Sequence, residues 1–156
     1  MTDEQIDRRF FGVCAIVWMA IIFSFSSQNA LESSAMSGGI VDTIVNFIVQ
    51  FAHDLSDTQV VQLKDFLEIF IRKSAHALNY LILAILIYKA QVSTKNTIKK
   101  SLWAGGTALM YAITDEYHQL FVPGRSCELR DVFVDFGGIL VGIAIVLMIQ
   151  KQIIKK

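Results

Sequence analysis

Charge is scarce in this sequence, and so are the residues that organise most soluble or secreted chains. Asp, Glu, Lys and Arg make up 18% of the 156 residues, against 54% hydrophobic ones. That leaves too little polar side chain to cover a water-facing surface, so lipid is the expected solvent. A mean hydropathy of +0.51 agrees. Lys and Arg number 14, as do Asp and Glu. With no basic excess, the chain is not expected to take nucleic acid as a partner. Cysteine is limited to Cys14, inside an apolar run, and Cys127, in a loop. The two belong at different depths, which argues against a disulfide within the chain. No nucleophile elbow, phosphate loop or metal-spaced histidine motif occurs, so no cofactor and no metal is assigned.

What the chain has instead is a set of apolar runs of bilayer length. The first, Phe10 to Ser26, follows Arg8 and Arg9. It exceeds the roughly 7–15 residues of a signal-peptide core and reads as an uncleaved anchor. A long connection follows, from Asn29 to Glu68. Within it Ile40, Val41, Ile44, Val45, Ile48 and Val49 recur at helical spacing, opposite Asp42, Asn46 and Gln50. This predicts an amphipathic helix of about three turns, too short to span, on the membrane surface or folded over the bundle mouth. Ser56 to Gln59 reads as a capping box opening a helix that runs toward the second span. Crossing takes about 20 residues, so that span, ending at Tyr88, starts near Ile69. The third is about Ser101 to Leu120 and the fourth about Asp131 to Gln150. The expected fold is an all-α integral membrane protein: four transmembrane helices, with an extra amphipathic helix between spans one and two. Residues 1–156 form a single domain.

The scarce charges gather at one end of these spans. Ser27 and Gln28 close the first; Lys73, His76 and Tyr80 share a face of the second by their steps of three and four. Asp115, Glu116 and Gln119 end the third, and Asp131 and Asp135 open the fourth. Pro123-Gly124 suits a tight turn between spans three and four, with Arg125 and Arg130 beyond it. Charge inside a bilayer is costly and marks function by default. The structural alternative is a neutral network closing the bundle, with Arg72, Lys73, Arg125 and Arg130 balancing Asp115, Glu116, Asp131 and Asp135 and Glu128 left in the solvated loop. On the fourth span Gly138 and Gly142 continue the Asp131-Asp135 stripe and invite a neighbouring helix to approach closely.

At these residues the chain resembles the VanZ family, small membrane proteins associated with teicoplanin resistance. The matching pieces are Ser26-Ser27-Gln28, Lys73-x-x-His76-x-x-x-Tyr80, Asp115-Glu116-x-x-Gln119, Pro123-Gly124-Arg125, and Asp131 with Gly138. Where the family usually has Asn four residues after the last Asp, this chain has Asp135, adding a potential negative charge. The resemblance implies a VanZ-like membrane domain that lowers susceptibility to glycopeptide antibiotics acting outside the membrane.

Three function classes fit these residues unequally. In a binding module, Arg72, Lys73, Arg125 and Arg130 hold the phosphate of an anionic membrane lipid or lipid-linked wall precursor, and carboxylates orient its amine or hydroxyl end. In a membrane enzyme, His76 shuttles protons with Glu116 or Asp115 as partner. A transporter ranks last, because no polar cluster continues the path at the opposite end. His118 points about 200° around its helix from Glu116, which disfavours a shared cation.

Cation placement sets the expected orientation in the cell membrane. Arg8, Arg9, Lys89, Lys95, Lys99, Lys100, Lys151, Lys155 and Lys156 fall on one side, nine against Lys64, Arg72, Lys73, Arg125 and Arg130 on the other. The richer side is cytoplasmic, with both termini. A membrane-impermeant thiol reagent applied to intact cells should therefore label Cys127 but not an introduced Asn96→Cys. The opposite pattern would reverse the orientation.

Overall fold

The computed structural model describes residues 3–52, 55–91 and 96–154; His53, Lys95, Lys155 and Lys156 lie outside them. The described residues form helices α1 (Asp3–Ser26), α2 (Ala30–Phe51), α3 (Asp57–Ala90), α4 (Thr97–Gln119) and α5 (Leu129–Ile154), with no strand among them. Four of these, α1, α2, α3 and α5, are long and apolar enough to cross a membrane. The chain is an all-α, multi-pass membrane protein.

Two helices differ from the sequence expectation. α2 is 22 residues long rather than three turns. A capping box starts it early: the Asn29 side chain accepts from the Glu32 backbone N–H at 2.9 Å, and Glu32 accepts from the Asn29 N–H at 3.1 Å. No proline then interrupts the run. α4, expected as the third span, is not among the four apolar helices, because Lys99 and Lys100 at its start and Asp115 and Glu116 at its end dilute it. Packing nevertheless makes α4 a bundle member, since Ala104, Ala108 and Ala112 are fully buried. It lies against α3, α5 and α1.

α3 is the hub, touching each of the other helices. Its 34 residues rise roughly 51 Å at about 1.5 Å each, well beyond the roughly 30 Å of a bilayer core. The second half joins the four-helix bundle. The first half carries α2, tied by Lys64 to Asp42 at 2.7 Å and by Arg72 to Ser34 at 3.1 Å. A capping box, Ser56 with Gln59, opens it as the sequence predicts.

The core is built from small residues and a few large ones. Tyr80, Leu83, Ala84, Ala108, Ala112 and Ile139 are fully buried, whereas Phe10, Ile16, Leu102, Met110, Phe133 and Met148 face outward. Large apolar side chains outside and small ones inside suit a protein solvated by lipid, where helix association depends on close contact. α3 and α5 run parallel and make the closest contact. A Cβ on Gly138 would come 2.0 Å from the Ala77 carbonyl oxygen, and one on Gly142 would come 2.5 Å from that of Leu81. The Trp18 indole donates to the Asn79 carbonyl at 3.0 Å, and the Tyr111 hydroxyl donates to that of Met19 at 2.7 Å, so α1 is pinned to α3 and α4.

The glycine contacts generate a graded prediction. Gly138→Ala and Gly142→Ala must push two helix backbones apart, so each should cost about 3 kcal/mol or more, the upper end of overpacking. Gly137→Ala, which meets nothing within 4 Å, should be neutral or slightly stabilising. Thermal unfolding of the purified proteins in detergent checks this, and equal melting temperatures for Gly138→Ala and Gly137→Ala would contradict it.

Candidate functional site

The α4–α5 hairpin organises the polar end of the bundle. α4 ends at Gln119, and backbone bonds from Val122 to Gln119 (3.1 Å) and from Arg125 to Val122 (3.1 Å) fold the chain back. Gly124 makes the turn with φ +76°, the conformation that favours glycine. The turn also seats α2: the Ala30 N–H donates to the Pro123 carbonyl at 3.4 Å. A Cβ on Gly124 would lie 3.0 Å from that of Ala30.

Below the turn, every bundle helix contributes buried polar side chains: Ser26 from α1, Tyr80 from α3, Asp115, Glu116 and Gln119 from α4, and Asp135 from α5. Asp135 is 2% exposed and Tyr80 fully buried. Ser26 Oγ, Tyr80 Oη, Asp115 Oδ1 and Asp135 Oδ1 are buried without a hydrogen-bond partner among the described residues. The Lys73-His76-Tyr80 face meets α4 at Asp115, which lies within electrostatic reach of His76 and Tyr80. The expected partner, Glu116, is engaged elsewhere: its Oε1 accepts from the Glu128 N–H at 2.5 Å and so holds the hairpin closed.

Above this buried layer lies a polar cavity of about 310 Å³, lined by Arg72, Lys73, His76, Gln119, Arg125 and Asp131 among others. Exposed Arg130 and Glu128 stand at its rim. Beside it an apolar groove of about 180 Å³ runs between α1, α2 and α3 along Ile22, Phe25, Met36 and Ile40, with Gln28 at its edge. Arg72, His76 and Arg125 line both. Ser27 is turned away, its hydroxyl 3.1 Å from His118 Nε2, and the His118 ring stacks on Phe23 at 4.5 Å between centroids. The structure thus gathers the predicted residues at one end of the bundle, but Ser27, Tyr80, Asp115, Glu116 and Asp135 line neither cavity.

The balanced ion-pair network is not what holds this region together. Lys73 pairs with Asp131 and lies 4.0 Å from Glu128. Arg72 pairs instead with Glu68, four residues earlier, at 2.9 Å. Arg125 donates to the neutral Gln119 amide at 3.2 Å. Among the described residues no cation lies at salt-bridge distance from Asp115, Glu116 or Asp135. Burial and the neighbouring Arg72 charge both lower the Arg125 guanidinium from its ordinary value, while Asp115, Glu116 and Asp131 oppose them. Arginine stays charged under such pressure. Two like charges therefore share one wall, and each keeps a buried Nε with no hydrogen-bond partner among the described residues.

Three participants escaped the sequence reading. Glu68 was legible as an i, i+4 partner of Arg72. Glu128, assigned to solvent, contributes its backbone to Glu116, and its half-exposed carboxylate faces Lys73. Ser34 carried no signal.

A family model described as VanZ/LLP1 matches residues 11–150. No curated protein and no solved structure matches the chain.

The buried layer yields a stability prediction. Asp135 has a side-chain oxygen without a partner and lies within reach of Asp115, Asp131 and Glu116. Asp135→Asn keeps the shape and removes the potential charge, so it should raise the melting temperature, by an amount corresponding to about 1–3 kcal/mol. A clear fall would mean that the ionised carboxylate is held by a partner.

Proposed function

Because the chain belongs to the VanZ/LLP1 family, we propose that it acts at the outer leaflet of the cell membrane. There it binds an anionic lipid or lipid-linked wall precursor and lowers susceptibility to teicoplanin-type glycopeptides. One observation carries the reading: Arg72, His76 and Arg125 line both the polar cavity and the apolar groove. An amphiphile needs just such a junction, with charge recognised on one side and a chain received on the other. A phosphate at the junction would lie beside both guanidinium groups and offset the repulsion between them. Its chain would follow Ile22, Phe25, Met36 and Ile40, while Asp131 and Glu128 across the polar cavity would receive an amine or hydroxyl. Holding or shielding such a lipid changes how a glycopeptide meets its target at the cell surface.

A second reading, acid–base chemistry on the head group, rests on His76 lying at the wall of both cavities within reach of buried Asp115. General acid–base groups contribute about 10²–10⁴-fold in rate, so their loss should abolish the effect. Binding tolerates His76→Gln while the arginines remain.

Arg125→Ala is the direct test of binding. Its guanidinium bonds neutral Gln119, so removal strands no carboxylate at salt-bridge distance and should cost only about 1–3 kcal/mol. The variant should insert and fold, yet lose both co-purified anionic lipid and protection against teicoplanin. Wild-type protection at matched membrane levels would rule out the binding role of Arg125. Complete loss of protection in a stable His76→Gln protein that still retains lipid would favour catalysis.

A further inference from the structure

The bundle has a second basic cavity, at the end opposite the hairpin. It encloses about 350 Å³ where α1, α3, α4 and α5 converge, and its charged lining residues are Arg8, Lys89, Lys100 and Asp7. Its apolar wall is Ile85, Ile145, Val146 and Ile149. Lys89 Nζ sits 4.8 Å from the centre of the Phe11 ring, and Lys100 Nζ sits 5.9 Å from that of Tyr88. Neither lysine has a carboxylate at salt-bridge distance among the described residues. The walls are fixed: the Tyr88 hydroxyl donates to Gln150 at 3.0 Å, and Gln91 donates to the Lys100 carbonyl at 3.0 Å.

We infer that this cavity is a binding site for an anionic phospholipid of the leaflet at the termini end. Its phosphate lies between Lys89 and Lys100, and its acyl chain lies along Ile85, Ile145 and Ile149. Two lysines without a carboxylate at salt-bridge distance among the described residues call for an anion, and the apolar wall beside them calls for a chain on that anion. An ammonium held over an aromatic ring is positioned without being neutralised, so it still has hydrogen bonds to give. Lys89 lies roughly 25 Å further along α3 than Arg72, at about 1.5 Å per residue, so this site and the hairpin cavities face opposite leaflets. The inference is independent of the function proposed above. A lipid bound here would brace four helix ends that meet around an open cavity.

Full-length protein in neutral detergent would be titrated with phosphatidylglycerol, with phosphatidylcholine and with inorganic phosphate, reading the melting temperature. Phosphatidylglycerol should raise it in the wild type and in Arg125→Ala, which removes a hairpin-end arginine and leaves this cavity untouched. In Lys89→Gln/Lys100→Gln, made on the Arg125→Ala background so that the hairpin site does not contribute, its apparent affinity should fall about 30-fold, from about 1 kcal/mol per basic residue at a membrane surface. Lys100→Gln alone should fall about fivefold on the same basis, which keeps the test open if the double variant does not fold. Lys89→Arg/Lys100→Arg should retain the shift. An undiminished shift in both lysine-to-glutamine variants would overturn the site. An equal shift with phosphatidylcholine would show that the charge is irrelevant, and one with inorganic phosphate alone would show that no lipid is needed. Either result would overturn the inference.

Discussion

The close approach of α3 and α5 is the constraint on which the remaining structure depends. Gly138 and Gly142 leave no room for a methyl group against the Ala77 and Leu81 carbonyls, so the two helices meet backbone to backbone. Ala77 and Leu81 are one turn apart, as are Gly138 and Gly142, so the contact is a pair of matched steps that fixes register as well as distance. The same register places Lys73 against Asp131 at the hairpin end and Tyr88 against Gln150 at the other. Asp131, Asp135, Gly138 and Gly142 form one stripe, so the helix face that makes the tightest contact also carries a carboxyl group into the core. The site and the helix packing therefore cannot be varied separately on this face.

With lipid as solvent, large apolar residues gain nothing by turning inward, and the chain spends them outside. The interior is shared by alanine and glycine, which bring the backbones together, by a few large side chains such as Leu83, Tyr88 and Ile139, and by polar groups that lipid would reject. That division explains why α4 belongs to the bundle although its composition falls short of a lipid-facing helix. Its buried stripe is Ala104, Ala108 and Ala112, followed one turn later by Asp115 and Glu116 and then Gln119. A helix shielded by three neighbours has less need of hydropathy than one facing lipid.

What could be read from the sequence follows the same physics. Apolar periodicity and the Ser56–Gln59 capping box located α1, α3 and α5, because a run of that kind has few alternatives in a membrane. The glycine step was legible, and so was the convergence of polar helix ends, since topology alone brings them to one depth. α2 was mistaken for a short amphipathic helix because its first half, with Ser33, Ser34, Gly38 and Gly39, lacks apolar period. The Asn-x-x-Glu box that starts it was in the sequence and outweighs those weak formers. Partner choice was not legible. Counting four cations against four acids suggested pairing, yet Arg72 found Glu68 on its own helix and Arg125 found an amide. Which donors meet which acceptors depends on rotation about each helix axis, and composition does not encode that.

The acids around Arg125 bear on how its charge is held. Arg72 and Arg125 repel each other across one wall; Arg72 is paired with Glu68, whereas a contact ion pair with Arg125 would relieve the repulsion while occupying its donors. Asp115, Glu116 and Asp131 instead act on Arg125 electrostatically while none forms a salt bridge to it. Charge interactions fall off only as the inverse of distance and are weakly screened away from water, whereas hydrogen bonds need contact. Carboxyl groups set behind the wall can thus offset the guanidinium charge of Arg125 without taking up its N–H groups. In this arrangement the acids need not touch a ligand to matter. They make it possible to hold two arginines side by side in a membrane protein with only part of each donor set engaged, by Glu68 and Ser34 on Arg72 and by Gln119 on Arg125.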